Sequence, residues 1–564
     1  MKILWLANVP SPYRVDFFNE LGRHCDLTVV FEKRTSDERD KTWLNYKFES
    51  FQGVFLTGKS INTDTAFCPS VIRYLKDTKY NLIIVTNMSS PTGIIAICYM
   101  RLHKIDYWIE GDGGFAKKGN FIKTKLKKYM ISGAKGFFST SKTHDEYYLS
   151  YGAKLEKIYR YPFTSINQSD ITKAGIFDEQ DKHLLRQELA LKEERIILSV
   201  VNTDTYSGCE ADLGALLRCA EILGEKTGVF VIIEESTNGS LNRKYDICPK
   251  NVHFIGLNNK DMAKYYGMAD CFVFLSRDDS WKPVLYEAMV YGLPIITTTR
   301  CVAGNELVED GINGVLITDD NTEIIAECIK NLLTSDKKTI FGKASYEKIL
   351  NCTIENKDET HIKICGMAGE KRALIRYLAK QRINIPQDKK VILYVGQMIF
   401  RKGVDILLKS AKDLSKERND LLFLLVGGAL SDSFLELKSG IPDDSIKTVA
   451  FLSKEELSLY YRAATLFCLP TREDIWGLVI NEGMSFGLPI ITTTKCGSGN
   501  ELIENGVNGY LLDVVESTNL SMCIQKLIMD PKLYCAEEES IKKIAGYSIE
   551  KMVQRHIELF NTLS

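Results

Sequence analysis

The eight letters GLPIITTT occur twice, at Gly292–Thr299 and at Gly487–Thr494, 195 residues apart. The likeness runs outward on both sides: EAMVYGLPIITTTRCVAGNELVEDGINGVL from Glu287 aligns with EGMSFGLPIITTTKCGSGNELIENGVNGYL from Glu482 at the same offset. A repeat of so long a period means one folding unit written twice. It divides the 564 residues into a unique first part and two copies, from about Ile197 to Ile362 and from about Ile392 to Ile557.

Within each copy, short β-branched runs alternate with amphipathic stretches. In the second copy Val391–Val395, Leu421–Val426, Leu466–Leu469 and Leu488–Thr492 read as buried parallel strands, separated by helical patterns such as Val404–Leu414 and Leu478–Phe486. This alternation predicts an α/β fold of doubly wound, Rossmann-like units. The first 165 residues alternate in the same way, with strands near Ile3–Ala7, Leu27–Phe31, Leu82–Val85 and Tyr107–Glu110. Three units are therefore expected: 1–165, 185–350 and 389–564. The polar stretch 351–388 reads as a linker, too short for another N-terminal unit, so the two copies must share one.

Composition narrows the function. Lys and Arg number 72 against 73 Asp and Glu, so no global field draws the chain to nucleic acid. Fifteen cysteines show no CxxC pair and seven histidines never cluster, which argues against a disulfide framework or a zinc site and fits a reducing cytosol. The start, MKILWLA, reads as a buried strand rather than a signal peptide. Leu82–Met100, the most apolar stretch, is broken by Asn87, two serines and Pro91, so no bilayer span is expected.

Several motifs carry chemistry in competition with plainer readings. GVFLTGKS, Gly53–Ser60, satisfies the phosphate-loop pattern, but its bulky interior reads as strand and no helix is signalled after it. GDGGFA, Gly111–Ala116, fits a dinucleotide fingerprint yet lies far from the first strand-to-helix turn and precedes a lysine-rich tract. Gly396–Gly403, GQMIFRKG, follows a strand and opens a helix, so amides, helix dipole, Arg401 and Lys402 could converge on a diphosphate; the same pair could be a solvated helix start. Asp474 follows a strand, and Glu482 lies eight positions on along the next helix. Both can accept hydrogen bonds from vicinal hydroxyls, or serve as a dipole partner and a surface acid. Gly427–Gly428 and Gly497–Ser498–Gly499 would let backbone approach a ligand.

Taken in order, GQMIFRKGVDILL, the VGG loop, PTREDIWGLVINEGMSFGLPII and GSGNELIENGVNGYL resemble the nucleotide-binding half of retaining GT-B glycosyltransferases of family four. SPYRVDFFNELGRHCDLTVVFE, WIEGDGGF and YPFTSI resemble the acceptor half of bacterial polysaccharide-building members. The resemblance implies a diphosphate grip by Lys402 with Arg401, because Gln397 stands where the family often has arginine. It also implies sugar contact by Asp474, one methylene shorter than the usual glutamate, and ribose contact by Glu482. Gly396, Gln397, Gly428, Gly497, Ser498, Gly499 and Asn500 complete the implied donor site. No cofactor and no metal are implied, and the chain has no DxD triplet.

At the 195-residue offset Lys402 becomes Ser207, Arg401 becomes Tyr206, Gly396 becomes Val201 and Gly497 becomes Val302. Asp279 and Glu287 keep the acid pair, but Gly477 and Leu478 become Lys282 and Pro283. The first copy is therefore read as a spacer or weak glycan-binding module, and the second as the donor domain. On the acceptor side Glu110 and Asp112, at a strand end, are candidates to orient the acceptor hydroxyl or to cap a glycine-rich turn. Tyr13 and Arg14 are further candidates. Between Lys117 and Lys128 six lysines are interleaved with apolar residues and no acid, a face suited to an anionic membrane surface or to solvent. The segment Ile549–Leu563 resembles the crossing helix that ties the second GT-B lobe to the first.

The resulting expectation is retaining, metal-independent transfer of a hexosyl or N-acetylhexosaminyl group from a nucleotide sugar to a glycan, lipid-linked, in cell-surface polysaccharide or capsule building. The expected place is the cytoplasm, with peripheral contact at the inner membrane face. A non-catalytic glycan-binding scaffold, a phosphorylase or a nucleotide-sugar epimerase would share the fold.

Overall fold

The computed structural model describes residues 1–34, 46–62, 64–76, 79–111, 121–168, 175–192, 195–202, 209–225, 227–235, 248–256, 262–275, 283–318, 321–355, 359–513, 516–530 and 533–563. They fall into two compact units. The first comprises Met1–Ile171, Lys389–Ser453 and Ala464–Ser564; the second comprises Thr172–Asp388 with Lys454–Ala463.

The first unit holds two parallel sheets. In one, β1 (Lys2–Ala7), β2 (Asp26–Phe31) and β3 (Gln52–Phe55) are followed by a small antiparallel pair, β4 (Lys59–Ser60) and β5 (Ala66–Phe67), which lies outside the sheet. Then come β6 (Leu82–Val85), β7 (Trp108–Glu110), β8 (Gly136–Ser139) and β9 (Ile158–Arg160), giving the order β3-β2-β1-β6-β7-β8-β9. The phosphate-loop pattern at Gly53–Ser60 is thereby divided between β3 and β4, and no helix opens at its end.

The second unit contains β10 (Ile196–Asn202), β11 (Val229–Glu235), β12 (Val252–Gly256), β13 (Cys271–Phe274), β14 (Ile295–Thr298) and β15 (Gly314–Ile317). The other sheet of the first unit contains β16 (Lys390–Val395), β17 (Leu421–Val426), β18 (Ile446–Val449), β19 (Leu466–Cys468), β20 (Ile490–Thr493) and β21 (Gly509–Leu512). Their orders are β12-β11-β10-β13-β14-β15 and β18-β17-β16-β19-β20-β21, every pair parallel. This is the doubly wound Rossmann order, in which the direction of winding reverses beside the first strand of each sheet. Strands such as LLFLLV at β17 are buried at every position, because helices cover both faces.

The polar stretch after residue 350 is not a bare linker. Glu359–Arg382 is a helix, and Lys371, Leu374, Ile375, Leu378 and Ala379 form its buried stripe. The apolar spacing is diluted by lysines and arginines along the rest of the helix, which is why composition alone reads as linker. In the same unit Asp270 is buried and binds Lys182 (3.2 Å), Arg186 (2.9 Å) and Lys338 (3.0 Å). Burial opposes its charge, yet these cations hold its pKa down at about 2.

In the first unit, helix Ile549–Leu563 inserts Met552, Val553, Leu559 and Phe560 into the core built by Ile3, Trp5, Phe17 and Phe18. His556 lies in the middle of this contact, its ring 4.5 Å from Tyr161, 5.0 Å from Phe138 and 5.1 Å from Phe17. Nδ1 donates to the Met552 carbonyl at 2.8 Å, while Nε2 is buried without a partner among the described residues. Burial pushes the His556 pKa down to about 4, and burial pushes that of His144, tilted against the Tyr148 ring at 4.3 Å, to about 3.

Both histidines are neutral when folded and take up protons when unfolded, so the unfolded chain gains stability relative to the folded one as pH falls from about 6.5 to about 4. Each site contributes a slope of up to about 1.4 kcal/mol per pH unit in that window. Urea melts between pH 7 and pH 4 should therefore show a steep loss of stability that is shallower in His556→Phe. Parallel curves for the two proteins would contradict this.

Candidate active site

β16 and β19 are neighbours at the winding reversal of their sheet, where a crevice opens beyond the carboxyl ends of the strands. The loop after β16 runs through Gly396–Gly403 into helix Val404–Glu417, and the loop after β19 carries Arg472–Gly477 into helix Leu478–Ser485. Gly403 is where the chain turns, with φ of 77°. A side chain there would also bring Cβ to 1.9 Å from the Pro470 carbonyl oxygen, so the two loops touch only because this residue is glycine.

The loops are laced together along their length. The Arg472 amide donates to the Arg401 carbonyl at 2.8 Å, and Thr471 Oγ1 donates to the same oxygen at 3.1 Å. Arg472 then grips Asp405 with both terminal nitrogens, at 2.7 and 2.8 Å, donates to the Phe400 carbonyl at 2.7 Å, and lies 3.7 Å above the Phe400 ring. From the other side Arg401 Nη1 donates to the Glu473 carbonyl at 2.9 Å. Lys402 Nζ forms an ion pair with Asp474 Oδ2, both side chains largely buried. Arg401 itself remains exposed, as does Gln397.

Other candidates surround this pair. Glu482 is half-buried on helix Leu478–Ser485 and accepts from Ser165 Oγ at 3.4 Å. Gly396 directly follows β16, its amide donating to the Val426 carbonyl at 3.0 Å. Gly427 must lack a side chain because Cβ would meet the Gly396 oxygen at 2.1 Å, whereas at Gly428 the space is open. Gly497, Ser498 and Gly499 begin the short helix Gly497–Leu502. Here the expectation that glycine admits a ligand needs correction. A Cβ at Gly497 would strike the Ile475 oxygen at 2.1 Å, and one at Gly499 the Thr492 methyl at 2.7 Å. The amides of Gly497 and Ser498 are likewise occupied, by the Asp474 and Trp476 carbonyls. The small residues serve close packing against the Asp474 loop. Asn500 is exposed and donates to the Thr494 carbonyl at 2.9 Å.

The N-terminal candidates divide. Glu110 is completely buried: Arg14 donates to both its oxygens at 2.9 and 3.1 Å, Tyr161 OH at 2.7 Å and Thr86 Oγ1 at 3.1 Å. Burial alone would raise its pKa, but the Arg14 guanidinium and the Tyr161 hydroxyl hold it below the usual range. A carboxylate so enclosed braces the sheet and does not face an incoming hydroxyl; Arg14 is consumed in the same bond. Tyr13 is half-buried, edge-on to Phe163. Asp112 lies outside the described residues, as do Lys117, Tyr206, Ser207, Asp279 and Lys282. Of the first copy's acid pair only Glu287 is described, accepting from Tyr266 OH at 2.9 Å; Val201 sits in β10 and Val302 opens helix Val302–Leu307.

Sequence reasoning missed Arg472 and Asp405, and also Asn481. That side chain accepts from the Trp476 indole at 2.9 Å and donates to the Phe163 carbonyl at 3.2 Å, pinning the chain leaving β9 to the helix of Glu482. An arginine two residues before Asp474 and an acid in the first turn after Lys402–Gly403 were the available signals.

Residues 356–544 match a family model described as glycosyl transferases group 1, and residues 214–335 match a second model with the same description. Both segments are therefore similar to glycosyl transferases group 1. An uncharacterized glycosyltransferase of Haemophilus influenzae is 29% identical over 170 residues, covering 30% of this chain and 48% of the relative. D-inositol 3-phosphate glycosyltransferase 1 of Catenulispora acidiphila is 28% identical over 197 residues, covering 33% and 47%. The chain thus spans about half the length of the curated relatives it matches. Among solved structures, sucrose-phosphate synthase of Thermosynechococcus elongatus aligns over 100% of this chain and 99% of its own at 11% identity, with a TM-score of 0.47.

Arg472→Ala would leave the Asp405 carboxylate, 7% exposed, without its cation and release the Phe400 turn. A loss of about 2–3 kcal/mol is expected in denaturant melts. Arg472→Lys should recover less than half, because an ammonium cannot make the forked contact.

Proposed function

We propose that the chain is a retaining glycosyltransferase that takes a sugar from a nucleotide-sugar donor to a glycan acceptor. The donor site is assigned to the second copy, 389–564, working with the N-terminal domain, 1–165. The carrying observation is the Lys402–Asp474 ion pair at the winding reversal of the sheet, a cation and an acid from two loops that are laced together. A diphosphate would displace Asp474 from Lys402, gaining charge-assisted hydrogen bonds from Lys402 and Arg401 and the favourable field of helix Val404–Glu417. Asp474, so released, becomes an acceptor for sugar hydroxyls, while Glu482 is placed for the ribose. As the glycosidic bond breaks, charge grows on the leaving diphosphate, and the same cations stabilise it most at that point. The copy 185–350, with Ser207 in place of Lys402, serves as a spacer or weak glycan-binding module.

A lipid-linked acceptor at the inner membrane face, in polysaccharide building, is favoured by helix Phe121–Ser132. It exposes Phe121 (78%), Ile122 (73%) and Tyr129 beside Lys123, Lys125 and Lys128, the mixture of apolar and basic groups that lies on anionic bilayers. Among the described residues no helix is long and apolar enough to cross a membrane.

Two measurements test this reading. With the accepted nucleotide sugar, Lys402→Ala should bind the donor at least tenfold more weakly, about 1.4 kcal/mol or more, and lose turnover about a hundredfold or more. Asp279→Ala should keep both. The reverse pattern would move the donor site to the first copy, and phosphate-dependent release of sugar phosphate or acceptor-free epimerisation would replace transfer altogether. Separately, wild type should sediment with vesicles containing phosphatidylglycerol. Phe121→Asp/Ile122→Asp should not, and equal sedimentation would remove the membrane contact.

A further inference from the structure

The Asp474 loop is tied to the segment 495–498 by backbone and side chain alike. The Asp474 amide donates to the Lys495 carbonyl at 2.9 Å, and the Gly497 amide to the Asp474 carbonyl at 3.1 Å. Further along, the Trp476 carbonyl receives the Ser498 amide at 2.8 Å and the Cys496 thiol at 3.0 Å. Ser498 Oγ then donates to the Gly477 carbonyl at 3.2 Å. Both Cys496 and Ser498 are completely buried. Gly477, with φ of 85°, lies against the two of them: a Cβ there would come to 2.7 Å from Cys496 Sγ and 3.4 Å from Ser498 Oγ.

In a trans peptide the carbonyl and the amide that follows it point opposite ways. Holding the Trp476 and Gly477 carbonyls against 495–498 therefore turns the amides of Gly477 and Leu478 away from that segment. Neither amide donates a hydrogen bond among the described residues, although Gly477 is buried and Leu478 half-buried. Backbone N–H groups in such surroundings call for an acceptor. These two lie where the loop of Asp474, the partner of Lys402, enters helix Leu478–Ser485.

The repeat supplies an internal comparison. At the 195-residue offset Cys496 keeps its thiol as Cys301, but Leu478 becomes Pro283, which has no amide hydrogen, and Ser498 becomes Ala303, which has no hydroxyl. The copy without the Lys402 cation thus lacks both the amide and the side chain that would aim it.

We propose that Cys496 and Ser498 are positioning residues of the donor site. They touch no ligand; by holding the Trp476 and Gly477 carbonyls they fix the amides of Gly477 and Leu478 for the donor's phosphate oxygens, so that no reorganisation is needed when the donor arrives. The inference rests on the diphosphate reading of Lys402 and adds the residues that preorganise the loop of its partner, Asp474.

Titration calorimetry on the full chain tests it with the diphosphates of uridine, guanosine, cytidine, thymidine and adenosine and, for the one bound most tightly, with its nucleoside. Ser498→Ala and Cys496→Ala should each weaken the diphosphate at least about fivefold, while the nucleoside keeps its affinity. Cys496→Ser, which retains a donor for the Trp476 carbonyl, should return to within about twofold of wild type. Unchanged diphosphate affinity in both alanine variants, a loss shared equally by nucleoside and diphosphate, or a Cys496→Ser protein as weak as Cys496→Ala would reduce the two residues to packing and overturn the proposal. Lys402→Ala separates this outcome from failure of the reading beneath it. If only Lys402→Ala weakens the diphosphate, the positioning role fails and the cation grip stands; if Ser498→Ala weakens it and Lys402→Ala does not, the grip fails and the positioning role stands. A wild type that takes none of the diphosphates refutes both.

Discussion

Contact between the loop after β16 and the loop after β19 is the constraint on which the candidate site depends. It is possible because Gly403 has no side chain to strike Pro470, and it is fixed by Arg472, which binds Asp405 and the Phe400 carbonyl at once. With the loops so joined, Lys402 and Asp474 have no separate freedom: each is the other's counter-ion. Two largely buried charges that neutralise one another are stable until a ligand offers one of them a better partner. Under the proposed function, a diphosphate enters such a site by exchange of partners, not by movement of strands.

The same loops explain why two copies of one sheet order need not share one chemistry. The order of six parallel strands is common to both, and it requires only apolar strands and helical spacers. The cation pair requires particular residues at particular positions, and at the offset of the repeat the sequence has Tyr206 and Ser207. Fold and site are thus separable: the first is written in patterns tolerant of substitution, the second in a few positions that are not.

What could be read in advance follows that division. The strands at Ile3–Ala7 and Leu421–Val426 announced themselves as apolar runs, and the structure places them within a residue of the expected bounds. Lys402, Asp474 and Glu482 stand out in the sequence as a spaced set, and the structure brings the first two into contact. Glu110 was legible only as an acid at a strand end; its enclosure by Arg14, Tyr161 and Thr86 depends on residues up to 96 positions away, which no local pattern reveals. Helix Glu359–Arg382 was hidden by its charge, and the purpose of Gly497 lay in a neighbour's carbonyl. Long-range packing, not local propensity, decided each of these.

Hydrogen–deuterium exchange on addition of uridine, guanosine and cytidine diphosphate sugars bears most directly on the central claim that the second copy seats the donor diphosphate. For the donor that is turned over, protection should appear in peptides spanning 396–405 and 471–482 and be absent from 201–210 and 276–287. Protection confined to the first copy's segments, or turnover with no protection at 396–405, would contradict the account.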